Sequence, residues 1–318
     1  MDYYIAFWNV ENLFDVVDSP QRSEKLQRVL KNELKGWTAE ILEQKLDQLA
    51  KVIQFMNNGA GPDLLGVCEI ENKFVLELLV EKVTALNRNY KVVHDNTADS
   101  RGIDVAFVYD ADKFSANEKF SHFIQKRTAT RDLFQVNFKT STDRLLVAIG
   151  NHWPARLGGQ YMSEPYRMMA GETLAYFHER IRQIHDTNVA VIVMGDFNDE
   201  PFNRSLTEYA KAEQTRPKVT RARSAKFLNL MWPFLGSGEG TYYSENESKV
   251  FDQILATKGL LTGNSGLKVL PESIEIITHP EMVNKGTYPI PIRFSRGSSL
   301  NSAGFSDHYP VACVVKDV

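Results

Sequence analysis

Cysteine is scarce, with two residues in 318. Cys68 and Cys313 both lie in apolar, strand-like runs and fit no metal-ligand spacing. A disulfide framework and a zinc-thiolate site are therefore excluded, and two free buried thiols suit a reducing compartment. Long apolar runs are missing too, so no segment is expected to insert in a bilayer. Neither sign of charge dominates: 37 basic against 40 acidic residues leave a net charge of −3. Any polyanion must then be gripped by a local basic rim rather than by a global field. The N-terminal MDYYIAFWNV has an acid where a secretion signal has its basic region, and its apolar stretch is short, so a cytoplasmic location is expected. What remains is an ordinary globular composition, 43% hydrophobic and 24% charged. One domain over residues 1–318 and a monomer are expected.

The chain is organised around Val189 to Pro201, VAVIVMGDFNDEP. An unbroken apolar run of strand length stops at Gly195-Asp196-Phe197-Asn198, which delivers a carboxylate and an amide together at the lip of a sheet. If the chain stays extended there, Asp196 and Asn198 project to the same side, one able to accept a proton or hold a metal, the other to hydrogen-bond. Taken alone, the segment reads first as a turn made by Gly, Asp and Asn. Other strand ends change that balance. Tyr3 to Trp8 delivers Asn9, Glu11 and Asn12, with Asn9 and Glu11 on one face by the two-residue period. LLGVCEIEN after Pro62-Asp63 places Leu65, Val67, Glu69 and Glu71 on one face, so Glu69 sits where apolar burial gives way to the rim. A half-buried carboxylate needs a cation, and oxygen donors without a Cys/His cluster select magnesium or manganese.

Leu145 to Gly150, paired antiparallel with Phe134 to Phe138, ends in Asn151-His152-Trp153-Pro154-Ala155-Arg156. The loop holding Arg156, Gly158, Gly159 and Arg167 suits approach to a phosphate, and the helix Tyr166 to Ile184 follows it. Further helices are expected from the cap Thr38 to Met56, from Phe74 to Leu86 and from Asn203 to Ala212, and strands at Tyr90 to His94 and Ile103 to Tyr109. Arg101 and Asp104 read as a turn-stabilising salt pair before a site contact, and the basic stretch Arg216 to Lys226 as a solvated face before a nucleic-acid contact. In the strand Lys249 to Leu255, Asp252 would be costly without a partner. Ser306-Asp307-His308, before the last strand Val311 to Val315, supplies one: an Asp252–His308 pair would fix the imidazole tautomer and raise its pKa. The long loop Gly286 to Gly304, with Arg293 and Arg296, is of a kind that lines binding sites.

Asn9 with Glu11, Glu69 after Pro62-Asp63, His152, GDFN, Asp252 and Ser306-Asp307-His308 resemble, in order and approximate spacing, the endonuclease/exonuclease/phosphatase superfamily. The resemblance runs from Asn9 to His308. It implies a four-layer α/β sandwich, two packed and mostly antiparallel sheets flanked by helices, with the site at one end between them. It implies Glu69 as the main magnesium (or manganese) ligand, with Asn9, Glu11 and Asp307 close to the ion. Asp196 would orient and deprotonate the attacking water, Asn198 would position the phosphate, and His152 and His308 would bind its oxygens, with Asp252 holding His308. Arg156, Arg167 and Asn151 are further candidates for substrate binding.

The inositol-phosphatase branch resembles this chain less, since its WxGDxNxR and Cys-Asp-Arg signatures are replaced by Val193 to Glu200 and Val250 to Leu255. FWNVENLFD, NHWPARLGG and GDFNDEP look most like bacterial nuclease-like members. The implied activity is metal-dependent phosphodiester hydrolysis, with DNA or RNA as the expected partner. Alternatives are a sphingomyelinase-like or small-molecule phosphodiesterase or phosphatase, and a non-catalytic binding protein on the same fold.

Overall fold

A computed structural model describes residues 1–97, 99, 101–126 and 130–318. The strands are β1 (Asp2–Leu13), β2 (Leu64–Ile70), β3 (Tyr90–His94), β4 (Asp104–Asp110), β5 (Phe114–His122), β6 (Leu133–Thr140), β7 (Leu145–His152), β8 (Val191–Asp196), β9 (Ala212–Glu213), β10 (Phe227–Asn229), β11 (Tyr242–Ser244), β12 (Glu247–Lys249), β13 (Asp252–Thr257), β14 (Leu267–Ile276) and β15 (Val311–Asp317). The principal helices are α1 (Glu24–Leu30), α2 (Ala39–Phe55), α3 (Lys73–Lys82) and α4 (Gln160–Ile184). One sheet runs β14-β15-β1-β2-β4-β3 and the other β5-β6-β7-β8-β13-β10-β9, with β11 and β12 as a separate hairpin. Parallel pairing is confined to β1/β2, β7/β8 and β9/β10.

Alternation along the strands builds the layers. Tyr3, Ile5 and Phe7 of β1 face the second sheet, where they meet Ala148, Ile192, Met194 and Ile254. Tyr4, Ala6, Trp8 and Val10 face outward against Leu42, Leu46 and Leu49 of α2 and Val75 and Leu79 of α3. Val147, Ile149, Val191 and Val193 on the far side of the second sheet pack against Ala170, Leu174 and Ile181 of α4. Helix, sheet, sheet, helix is the four-layer arrangement expected from the sequence.

Several local expectations are revised. β5 and β14 lie outside the expected strands, since β5 carries mostly exposed residues and β14 a partly exposed row, and neither shows a strong two-residue hydrophobic alternation. α4 starts at Gln160, six residues before the expected Tyr166 and with Pro165 inside it. Ser163 Oγ and Arg167 Nη2 donate to the Gly159 and Gln160 carbonyls at its start. The expected helix after Asn203 is one π turn, Ser205–Tyr209, and the expected strand Lys249 to Leu255 is split between β12 and β13. The helix expected from Phe74 to Leu86 ends at Lys82 and gives way to a 3₁₀ turn, Thr84–Leu86.

Candidate active site

The rows of side chains that fill the space between the sheets continue past the end of the apolar core as polar groups. Even-numbered residues of β7, β8 and β13 face inward, and the next in each row are His152, Asp196 and Asp252. The register sets them level, with Asp196 opposite His152 on one side and Asp252 on the other. In β1 the inward row Tyr3, Ile5, Phe7 ends in Asn9. The backbone at Gly195 lies so near Asn151 that a Cβ there would come within 2.5 Å of the Asn151 carbonyl oxygen.

Two strand ends break the two-residue period. Glu69 has φ +65° and the β2/β4 register shifts at it. Ile70 consequently packs with Leu65 and Val67, not on the opposite face as strict alternation would have it. This bulge re-aims the Glu69 carboxylate at the site. Glu11 and Asn12 also have positive φ, +51° and +54°, so Glu11 no longer shares the Asn9 direction.

The groups converge on a cavity of about 360 Å³ whose walls include Glu69, His152, Asp196, Asn198, Asp307 and His308. His308 Nδ1 lies 2.6 Å from Asp252 Oδ2, and its Nε2 faces Asp196 Oδ2 at 3.9 Å. Asn9 Nδ2 donates to Asp196 Oδ2 at 3.1 Å and approaches Glu69 Oε1 at 3.5 Å. His152 Nε2 stands 3.6 Å from both Glu69 Oε1 and Asp196 Oδ2. The Asn198 backbone N–H donates to Asp196 Oδ1 at 2.9 Å, and its amide donates to the Trp153 carbonyl at 3.0 Å.

Burial and neighbouring charge set the protonation. Burial raises the Asp196 carboxyl, with His308 opposing and Asp252 adding to the effect. Burial would depress His308, but the carboxylates of Asp252 and Asp196 prevail and hold it well above its ordinary value. Burial and the cations Arg131, Arg101 and His308 hold His152 well below its own, so at neutral pH it is a neutral imidazole. Burial beside Glu11 raises Asp307 to about 7.

The donor chemistry fits a hard divalent cation. Glu69 Oε2 accepts from the Asn12 N–H, while no Lys or Arg among the described residues pairs with this carboxylate. Asp307 adds a carboxylate, while Asn9 turns Nδ2 to Glu69 and its Oδ1 accepts from the Glu11 N–H at 3.0 Å. Burial raises Asp307 first and the Glu11 and Glu69 carboxylates add to it, a repulsion that a bound cation would relieve. Asp196, Asp252 and His308 form a second cluster, with one donor atom of each within 4.8 Å of the others. Asp252 and His308 are already bonded to each other at 2.6 Å within it, so this trio suits proton handling better.

Some candidates lie elsewhere. Asn151 is fully buried and accepts from Trp153 Nε1 while donating to the Ile149 and Met194 carbonyls. Arg167 is fully buried against Asp199 and Pro154. Both support the floor and neither reaches the cavity. Arg156 lines the cavity, but its donors are spent on Asn198 O, Asp199, Asn203 and Gln160. Glu11 is engaged by Arg293 at 3.0 Å and by the Phe294 N–H at 2.8 Å, so its oxygens face the 286–304 loop. Arg293 also reaches Asp307, at 3.1 Å. Asp104 pairs with His94, not with Arg101, which instead stands at the cavity wall. The basic stretch pairs its Lys218 and Lys226 with Glu213.

Sequence reasoning passed over other contributors. Thr241 Oγ1 accepts from the N–H groups of Phe251 and Asp252, and the Tyr242 ring lies 4.8 Å from the His308 ring. Ser306 donates to the Asn9 carbonyl and accepts from the His308 N–H, which ties two site strands together. Lys45, buried in α2, donates to the Phe305 carbonyl, and burial lowers its ammonium to about 8. The only sequence signal for Lys45 was a cation on an otherwise apolar helix face.

Similarity to known proteins agrees with this geometry. An endonuclease/exonuclease/phosphatase family protein from Bacteroides thetaiotaomicron superposes with a TM-score of 0.59 at 16% identity, covering 100% of this chain and 99% of that one. Humanised D. rerio TDP2 gives a TM-score of 0.61 at 12% identity over 99% of each chain. A Bacteroides thetaiotaomicron mannosyl-6-phosphatase gives 0.54 at 16% identity, again over 99% of each. At such identities the likeness establishes the fold alone. No curated protein sequence matches. The Endonuclease/Exonuclease/phosphatase family model matches residues 4–317, and the chain belongs to that family, whose members are hydrolases of phosphoester bonds.

Proposed function

We propose that the chain is a divalent-metal-dependent phosphodiesterase that cleaves nucleic acid by in-line attack of water. The observation that carries this is the meeting of Glu69, His152, Asp196 and His308 in the walls of one cavity, with Asp252 bonded to His308 and Asn9 to Asp196 behind them. Asp196, with its basicity raised by burial, takes the proton of the attacking water. The Asn9 amide and the Asn198 N–H hold its carboxylate in place. His308, kept protonated by Asp252, presents Nε2–H to a phosphoryl oxygen, and neutral His152 offers a second hydrogen bond from Nε2. Glu69, Asn9 and Asp307 would hold magnesium or manganese, which when bound neutralises charge on the phosphoryl group. Nucleic acid is favoured because cations line the cavity and its flank, Arg101 and Lys249 on the wall and Arg293 and Arg296 beside the acids, on a chain with no net positive charge.

The test is hydrolysis of plasmid, single-stranded DNA, RNA, bis(p-nitrophenyl) phosphate, sphingomyelin and sugar phosphates with magnesium or manganese. Asp196→Ala and a chelator serve as controls. Nucleic-acid cleavage lost in both controls supports the reading. Turnover of a lipid or sugar phosphate alone refutes the substrate, and inactivity of wild type and variant alike across the panel refutes the enzyme.

A further inference from the structure

Beside the site cavity, and sharing Arg101, Ala155 and Leu157 with it, lies a second cavity of about 230 Å³. Its walls carry three cations, Arg101, Lys126 and Arg131, and a single acid, Asp99, among the described residues. Arg131 is 4% exposed, with Nη1 on Asp99 at 3.2 Å and Nη2 near the Trp153 carbonyl at 3.4 Å, while its Nε has no hydrogen-bond partner among the described residues. A buried guanidinium N–H without an acceptor is costly unless a ligand supplies one. Lys126 makes no ion pair among the described residues, and its Nζ stands 4.8 Å from the centre of the Tyr166 ring. Burial and the guanidiniums of Arg131 and Arg101 lower its pKa, as expected of a cation crowded by cations. Arg101, Ala155 and Leu157 line both cavities, so this positive excess adjoins the hydrolytic centre.

We propose that this second cavity is an anion subsite, which takes a phosphate of the substrate next to the one being cleaved. Resting on the phosphodiesterase reading, it deepens it: the substrate carries more than one phosphate, as a single nucleic-acid strand does. Arg131 Nε and the Lys126 ammonium would donate to the phosphate oxygens, and the Tyr166 ring under Lys126 would face the adjoining nucleoside. A small polyphosphorylated molecule has the same anionic chemistry, so the test must separate the two sources.

The experiment measures binding to metal-free protein by fluorescence anisotropy of a labelled single-stranded octanucleotide, with unlabelled octanucleotide and inositol hexakisphosphate as competitors. Lys126→Ala is the variant, Lys126→Arg its rescue, and thermal melting the control for folding. Lys126→Ala should weaken strand binding about tenfold, the loss expected of a charge-assisted contact, and flatten its salt dependence, while Lys126→Arg restores both. Unchanged strand affinity in Lys126→Ala overturns the subsite. A loss seen only against inositol hexakisphosphate overturns the nucleic-acid strand as its source. Hydrolysis of bis(p-nitrophenyl) phosphate by wild type reports separately on the neighbouring centre, so failure of the subsite and failure of the phosphodiesterase reading can be told apart.

Discussion

Asp252→Asn isolates the contribution of one carboxylate to the His308 imidazolium. Asp252 is fully buried and holds His308 Nδ1 at 2.6 Å, and its other oxygen has no partner among the described residues. Asparagine keeps the shape but removes the charge that stabilises the protonated ring. Breaking a buried charge pair costs about 3–5 kcal/mol. If about 3 kcal/mol of that is felt in the transition state, kcat falls about a hundredfold. The sign of the pH effect follows from the raised His308 pKa: activity that needs the imidazolium is present below that pKa and lost as pH rises through it. The variant should therefore lose activity on the alkaline side earlier than wild type. The assay is kcat against pH with bis(p-nitrophenyl) phosphate at saturating manganese, with circular dichroism to confirm folding. A kcat within about threefold of wild type, with the alkaline limb unmoved, would refute the role given to the pair.

Burial depresses His178 to about 3 where it stacks on Phe227. The unfolded chain, with an ordinary histidine, then binds more protons as pH falls below about 6.5, and stability should drop by about 2 kcal/mol at about pH 5. His178→Phe should flatten that acid limb in urea titrations, and an unchanged limb would count against the assignment. Gly195→Ala, with its methyl forced against the Asn151 backbone, should lower stability by about 1–3 kcal/mol, read as a shifted denaturant midpoint. A wild-type midpoint would show that the strands can part. Arg293→Ala strips Glu11 and Asp307 of their guanidinium, so calorimetry with manganese should detect an additional ion per chain, and identical stoichiometry would contradict this.

The sequence by itself determined the layers and the location of the site. Unbroken apolar runs in Tyr3 to Trp8, Leu145 to Gly150 and Val189 to Met194 specify strands buried on both faces, and such strands can carry polar groups only where they leave the core. That is why Asn9, His152, Asp196 and Asp252 could be picked out before any coordinates. Where alternation failed, the strand face it assigned was wrong, although Glu69 still reaches the cavity. The left-handed residues Glu11, Asn12 and Glu69 redirect side chains that simple periodicity assigns elsewhere, because a bulge is stabilised by pairing across strands far apart in the chain. Arg167, Asn151 and Arg156 looked alike in sequence as polar residues near a glycine-rich loop. Only the tertiary structure showed two of them buried beneath the floor and the third anchored in the wall. Their partners, Asp199, the Met194 carbonyl and the Asn198 carbonyl, come from other elements, and a buried donor takes whichever acceptor the fold brings within reach. The same holds for the unpartnered Nε of Arg131 and for the Arg293 bridge, since both depend on distances that no spacing along one chain encodes.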